Sequence, residues 1–207
     1  MKYGDELIEL HGRRITAARI VSRLTPAPLI NLYVGIIFSW YSPIGLGSTL
    51  TPTTSLLLCI IFMVVLPISP IIFEAARGNI DLDVSQRESR TKFFLFSLLC
   101  YVLAFILYHL YSCTVMSALA AAYFTVTLGV TIVSLRTKVS VHCAGVGGPG
   151  TALIYVFGAI ATPVILLWIL VIWARTVLQQ HSMIQSISGV FLGVIITALT
   201  YPFVYIS

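Results

Sequence analysis

The stretch Phe93-Phe94-Leu95-Phe96-Ser97-Leu98-Leu99-Cys100-Tyr101-Val102-Leu103-Ala104-Phe105-Ile106-Leu107-Tyr108-His109-Leu110-Tyr111 contains no acid, lysine or arginine. A helix needs about 20 mainly apolar residues to cross a hydrocarbon core ~30 Å thick, and this run supplies them. Comparable apolar runs lie at about 24–42, 54–73, 113–135, 143–160, 162–174 and 182–206. As a single helix, 143–174 would reach ~48 Å at ~1.5 Å per residue. Gly158 and Pro163 stand where a turn would fall, so two short tilted helices are expected. Composition agrees: of 207 residues, 58% are hydrophobic and 9% charged, against ~25% charged in soluble domains. The expected fold is all-α, a polytopic membrane bundle of about seven spans (six if the first only dips in), forming a single domain over 1–207.

Residues 5–24 alternate Leu7, Ile8, Leu10, Ile15, Ile20, Val21 and Leu24 with Asp5, Glu6, Glu9, Arg13, Arg14, Arg19 and Arg23. That pattern predicts an amphipathic helix within 1–24, lying on the membrane surface or packed on the end of the bundle at 25–207. All twelve Lys and Arg fall in this helix, in 77–92, in 136–138 and at Arg175. Seven spans put these four stretches on one side, which the positive-inside rule makes cytoplasmic, with the N-terminus inside and the C-terminus outside. The net charge of +5 is then membrane topology, and no nucleic-acid partner is expected. Cys59, Cys100, Cys113 and Cys143 have no paired spacing and read as small core residues. The absence of a targeting signal favours a prokaryotic plasma membrane.

Three polar clusters remain, and seven spans gather them at one face. They are Arg77 to Lys92 (with Asp81, Asp83, Arg87 and Arg90), Arg136 to Gly150 (with Lys138, Ser140 and His142), and Arg175 with His181 and Gln185. Arginine forks clamp phosphoryl oxygens, amides at a helix start add donors, and histidine attacks or donates a proton. Two plainer readings stand beside this one. Charged loops at membranes anchor headgroups, which would account for Arg77, Arg87, Arg90 and Lys92. Gly145, Gly147, Gly148 and Gly150 form either a phosphate-cradling turn or a close helix contact.

Lys138-Val-Ser140-Val-His142-Cys-Ala-Gly145 resembles the Pro-Ser-Gly-His motif of the type 2 phosphatidic acid phosphatase superfamily. Arg175-x5-His181-x3-Gln185-x3-Gly189-x3-Gly193 is similar to that family's third motif, Ser-Arg-x5-His-x3-Asp, and the glycine-patterned helix after it. Asp81-x-Asp83-x3-Arg87-x2-Arg90 is similar to the first-motif region of an atypical prokaryotic branch. The likeness covers about residues 74–200. The chain departs from the pattern in lacking Lys-x6-Arg-Pro, in Val139, Val141 and Ala174, and in Gln185, which stands where the family has an aspartate.

The resemblance implies a metal-independent lipid phosphatase without a cofactor. His181 would be the nucleophile, His142 the acid for the leaving group, and Gln185 the orienting residue. Lys138, Ser140, Arg175, Arg87 and Arg90 would hold the phosphate, with Asp81 and Asp83 in support. The partners implied are a lipid or isoprenoid phosphate or diphosphate and the surrounding membrane lipids. Two rivals stay open: a magnesium-dependent prenyl or phospho-transferase using Asp81 and Asp83, and a non-catalytic lipid-phosphate binder, which Gln185 favours.

Overall fold

A computed structural model describes residues 2–7 and 10–205, with the side chains of Leu7, Arg87 and Glu88 outside that description. Ile8 and Glu9, assigned by the sequence to the amphipathic helix, lie outside the described residues. A 3-10 turn, Gly4–Leu7, precedes α1 (Arg13–Leu24) and α2 (Ala27–Tyr41). Next come α3 (Pro52–Cys59), a π-helical segment (Ile60–Val65) and α4 (Leu66–Ala76), one continuous helix of 25 residues. They are followed by α5 (Arg87–Leu110), α6 (Thr114–Ser134), α7 (Val141–Phe157) with a 3-10 turn at Gly158–Ala161, α8 (Val164–Val177) and α9 (Met183–Val204). The described residues include no strand.

Each of the seven apolar runs is helical, yet fewer than seven are crossing helices in their own right. Pro52–Ala76, Ser89–Leu110, Thr114–Ser134, Val141–Ala161 and Met183–Val204 are long and apolar enough. α1 and α2 meet at a 56° bend and reach that length only as a pair, while α8 has 14 residues. Proline explains both short elements. Pro26 and Pro28 halt the chain after α1 and restart it, since a residue before proline avoids the helical region. Gly158 (φ +65°) and Pro163 do the same before α8. The outward faces are apolar: Leu95, Leu99, Leu103 and Ile106 on α5, and Phe191, Ile195, Leu199 and Phe203 on α9, are all exposed. Stripes of this size in place of a charged surface are what lipid solvates, so the chain has the build of an integral membrane protein.

α1 starts eight residues later than the sequence suggests, and its apolar face is not left to lipid alone. Ala18 packs with Ala174 and Leu178, flanked by Ile15, Val21, Trp173 and Val177. The helix thus packs on α8.

Local chemistry sets the other boundaries. Thr51 and Thr54 cap α3 reciprocally, as Ser182 and Gln185 cap α9, each pair satisfying backbone donors that a helix start leaves free. Pro67 has no N–H to give the Met63 carbonyl in the α-helical pattern. Asn31 Nδ2 takes that place, donating to Met63 O at 2.7 Å and tying α2 to the α3–α4 helix.

The glycines of 145–150 lie inside α7 rather than in a turn, so the phosphate-cradling loop is replaced by helix packing. A Cβ on Gly193 would sit 2.5 Å from Ala144 O and 2.7 Å from Gly148 N; one on Gly147 would sit 2.5 Å from Val190 O. These neighbours are backbone and cannot step aside without parting α7 from α9. Gly193→Ala is therefore expected to cost ~1–3 kcal/mol, read as a lower thermal midpoint in detergent, whereas Leu199→Ala on the lipid face leaves the midpoint nearly unmoved.

The chain connections gather at two ends. At one, Leu82 N–H donates to Lys2 O at 3.0 Å, joining 2–7 to 77–86, and Ser140 N–H donates to Gln185 O at 3.2 Å, joining 135–140 to the first turn of α9. Tyr3, Asp83, Val141 and His181 line one cavity there. At the other, Thr49 Oγ1 donates to Tyr111 O at 3.3 Å. The charged segments thus share one end, as the sequence suggests.

Candidate active site

Arg90 of α5, His142 of α7, Arg175 of α8, His181 of the following turn and Asp83 of the loop before α5 line one cavity of about 240 Å³. Its remaining wall is mainly apolar, with Ile68, Ile71, Phe94, Val126, Val130 and Pro149, and it runs inward to Asn31, Tyr101 and Tyr123.

The Arg175-to-His181 spacing has a local cause. Gln180 N–H donates to Arg175 O and Gln179 N–H to Thr176 O, with Gln179 at φ +55°. This is a Schellman turn, here with glutamine in the left-handed position glycine usually holds. His181 N–H also points to Arg175 O, at 3.4 Å. The turn folds His181 back beside the arginine six residues earlier.

The loop before α5 is shaped by Asp81. Its carboxylate accepts from Asp83 N–H at 2.9 Å, from Ser85 N–H at 3.1 Å and from the Ser85 hydroxyl at 3.1 Å. These bonds hold Val84 at φ +47°, a conformation β-branched residues rarely adopt. Arg90 Nε donates to the Val84 carbonyl at 2.7 Å.

Charge in the cavity is unbalanced. Arg90 and Arg175 are 4% and 3% exposed. Arg175 Nη1 pairs with Asp83 Oδ1 at 3.2 Å and donates to Ser22 Oγ at 2.8 Å. Arg90 Nη1 and Arg175 Nε have no partner among the described residues. Unmet donors on buried cations are costly, and an anion with several acceptor oxygens would satisfy them.

His181, 7% exposed, has Nδ1 without a partner. Burial first, then the charges of Arg175, Arg90 and Lys138, push its imidazole down to about 3. It is therefore neutral at ordinary pH, with a free nitrogen lone pair. His142 Nε2 faces Thr25 Oγ1 at 3.5 Å. Thr25 gives its own proton to Val21 O at 2.8 Å, so the threonine oxygen is left to accept from the imidazole.

The other expected residues are placed differently. Lys138 is exposed and reaches the cavity as a charge. The Ser140 hydroxyl accepts from Cys143 N–H at 3.3 Å and caps α7. Gln185 Oε1 accepts from Ser182 N–H at 3.1 Å and closes the α9 cap, while the Gln185 side chain also interacts with His181 and opposes the lowering of its pKa. Arg87 begins α5, and its side chain lies outside the described residues. Asp83 stands in the site, and Asp81 builds its loop.

No family model, curated protein or solved structure matches the chain. The site rests on its own geometry. Sequence reading missed Ser22 and Thr25, which hold Arg175 and His142. Their signal was small residues at Ala18 and Ser22, spaced by four along one face of α1, followed by Thr25 at its C-cap.

Proposed function

We propose that the protein is a membrane lipid phosphatase that works without a metal and forms a phosphohistidine intermediate. The observation carrying this reading is the pair of buried, incompletely partnered guanidiniums of Arg90 and Arg175, which share with His142 and His181 a cavity of otherwise mainly apolar walls. Such a space suits a phosphate joined to an apolar tail. A nitrogen of His181 attacks phosphorus as the bond to the alkyl oxygen breaks, and His142 supplies the proton to that oxygen. Water then displaces His181 from phosphorus, giving its proton to His142 and releasing phosphate. Arg90 and Arg175 meet the charge that builds on the equatorial oxygens.

The finer topology belongs to the same proposal: seven spans, a cytoplasmic N-terminus and an outward C-terminus in a prokaryotic plasma membrane, with the charged end on the cytoplasmic side. The transferase reading is weakened by the carboxylates themselves. Asp81 is bonded within its loop, and Asp83 is bonded to Arg175 and Gly4, so a metal bridging them to a diphosphate would have to break these bonds.

The test is phosphate release by detergent-purified protein from lipid monophosphates and isoprenoid diphosphates, with and without EDTA. The expected result is release that EDTA leaves unchanged. No phosphate release, but diphosphate expelled once magnesium and a prenyl acceptor are added, points to the transferase. Release lost in EDTA overturns the metal-independent mechanism, and binding without turnover in either assay points to the non-catalytic binder.

A further inference from the structure

Residues 2–7 fold across the polar end of the cavity and are tied down at several points. Leu82 N–H donates to Lys2 O at 3.0 Å, and Gly4 N–H donates to Asp83 Oδ2 at 3.0 Å. Asp5 pairs with Arg19 at 2.7 Å, and Glu6 pairs with Arg23. The Arg23 guanidinium also lies over the Tyr3 ring, 5.0 Å from its centre. The exposed Glu6 pair adds little, but Gly4 and Asp5 are buried, and Tyr3 is itself part of the cavity wall. A Cβ on Gly4 would lie 2.5 Å from Ser85 Oγ and 2.6 Å from Gln180 Oε1. The segment is therefore pressed against both the loop that carries Asp83 and the turn that carries His181.

Asp83 links this segment to the site. One of its oxygens takes Arg175 and the other takes the Gly4 amide. A phosphate arriving at Arg175 competes for the same guanidinium and sets like charge against the carboxylate, which loosens Asp83 and the backbone it holds. Without phosphate the carboxylate stays on the arginine and the segment stays closed. A water-soluble ester gains nothing from the apolar walls deeper in the cavity and has to pass this segment.

We propose that residues 2–7 are a strap, latched by Asp83, that closes the headgroup end to bulk water and makes the site selective for phosphate esters carried on lipid over soluble ones. This rests on the phosphatase reading above.

The experiment compares the wild type, Gly4→Leu and a variant lacking residues 2–7. Each is given p-nitrophenyl phosphate and a long-chain lipid phosphate in mixed micelles. Each is also made with Ser97→Cys, which puts a thiol in the cavity wall, and exposed to a charged, water-soluble thiosulfonate. With two backbone ties undone, hydrolysis of the soluble ester and modification of the thiol both rise by about tenfold, while lipid phosphate is still turned over. Thiol modification equally fast with and without the strap overturns the proposal, as does a wild type that takes the soluble ester as readily as the lipid. If no protein releases phosphate from any ester, the phosphatase reading has failed, and the thiol rates still decide whether the strap closes the cavity. Gly4→Leu guards against a deletion variant that does not fold.

Discussion

His181→Ala is expected to abolish phosphate release while leaving lipid-phosphate binding in place. A nucleophile cannot be replaced by positioning alone, whereas the buried guanidiniums of Arg90 and Arg175 remain to hold the anion. Wild type quenched in base during turnover should carry acid-labile phosphate on protein, and the variant none. The pH dependence of stability reads whether the imidazole is held neutral by burial, the state a nucleophile needs. The imidazole is pushed down to about 3 by burial and then by Arg175, Arg90 and Lys138, whereas a free histidine titrates near ~6.5. Between those values the unfolded chain binds a proton that the folded one does not. The contribution of His181 to stability is thus complete above pH ~6.5 and is lost as pH falls toward ~3. Thermal midpoints in detergent should fall more steeply over that window in wild type than in His181→Ala. A variant that still releases phosphate, or a wild type that carries no phosphate on protein, would remove His181 from the nucleophile's place; matching slopes would show only that burial does not hold its imidazole neutral.

The helical character of the chain was open to sequence reading because spans such as Phe93–Tyr111 must be apolar along their whole length. The count of crossing helices was less legible. Proline at 26, 28 and 163 shortens α2 and α8 without changing their hydropathy, so apolar runs overcount what can cross unaided. The site was legible where one short turn makes it, as with Arg175 and His181. It was not legible where a side chain has two equivalent uses. Ser140 and Gln185 stand in a motif and each also caps a helix, since helix starts need acceptors; Gln185 does so while still interacting with His181. The glycines at 145, 147, 148 and 150 left a phosphate turn and a close helix contact equally open, because spacing alone does not say whether the approach is to a ligand or to a neighbouring backbone, as at Gly147. Ser22 and Thr25 were hidden on and just after a helix whose charges drew attention to the membrane surface.

Arg175→Ala should lower turnover by about 10²–10³-fold, the usual result of removing one preorganised donor from a developing oxyanion. The residue also carries structure, so the loss has two sources to separate. Its guanidinium lies between Ser22 and Asp83, and removing one partner of a buried pair strands the other charge. Destabilisation is therefore expected in Arg175→Ala and relieved in Arg175→Ala combined with Asp83→Asn, which keeps an acceptor for the Gly4 amide while discarding the stranded charge. The double variant regains its thermal midpoint but not its activity if Arg175 acts on the phosphate. Recovery of both would assign the residue to holding the loop. Arg175→Lys sharpens the comparison. It keeps one positive charge, but a point-like ammonium cannot hold Ser22 and two phosphoryl oxygens from a fixed planar fork. The lysine variant should thus bind lipid phosphate nearly as well as wild type and turn it over much more slowly. That split between binding and rate is the signature of a group that meets charge appearing in the transition state.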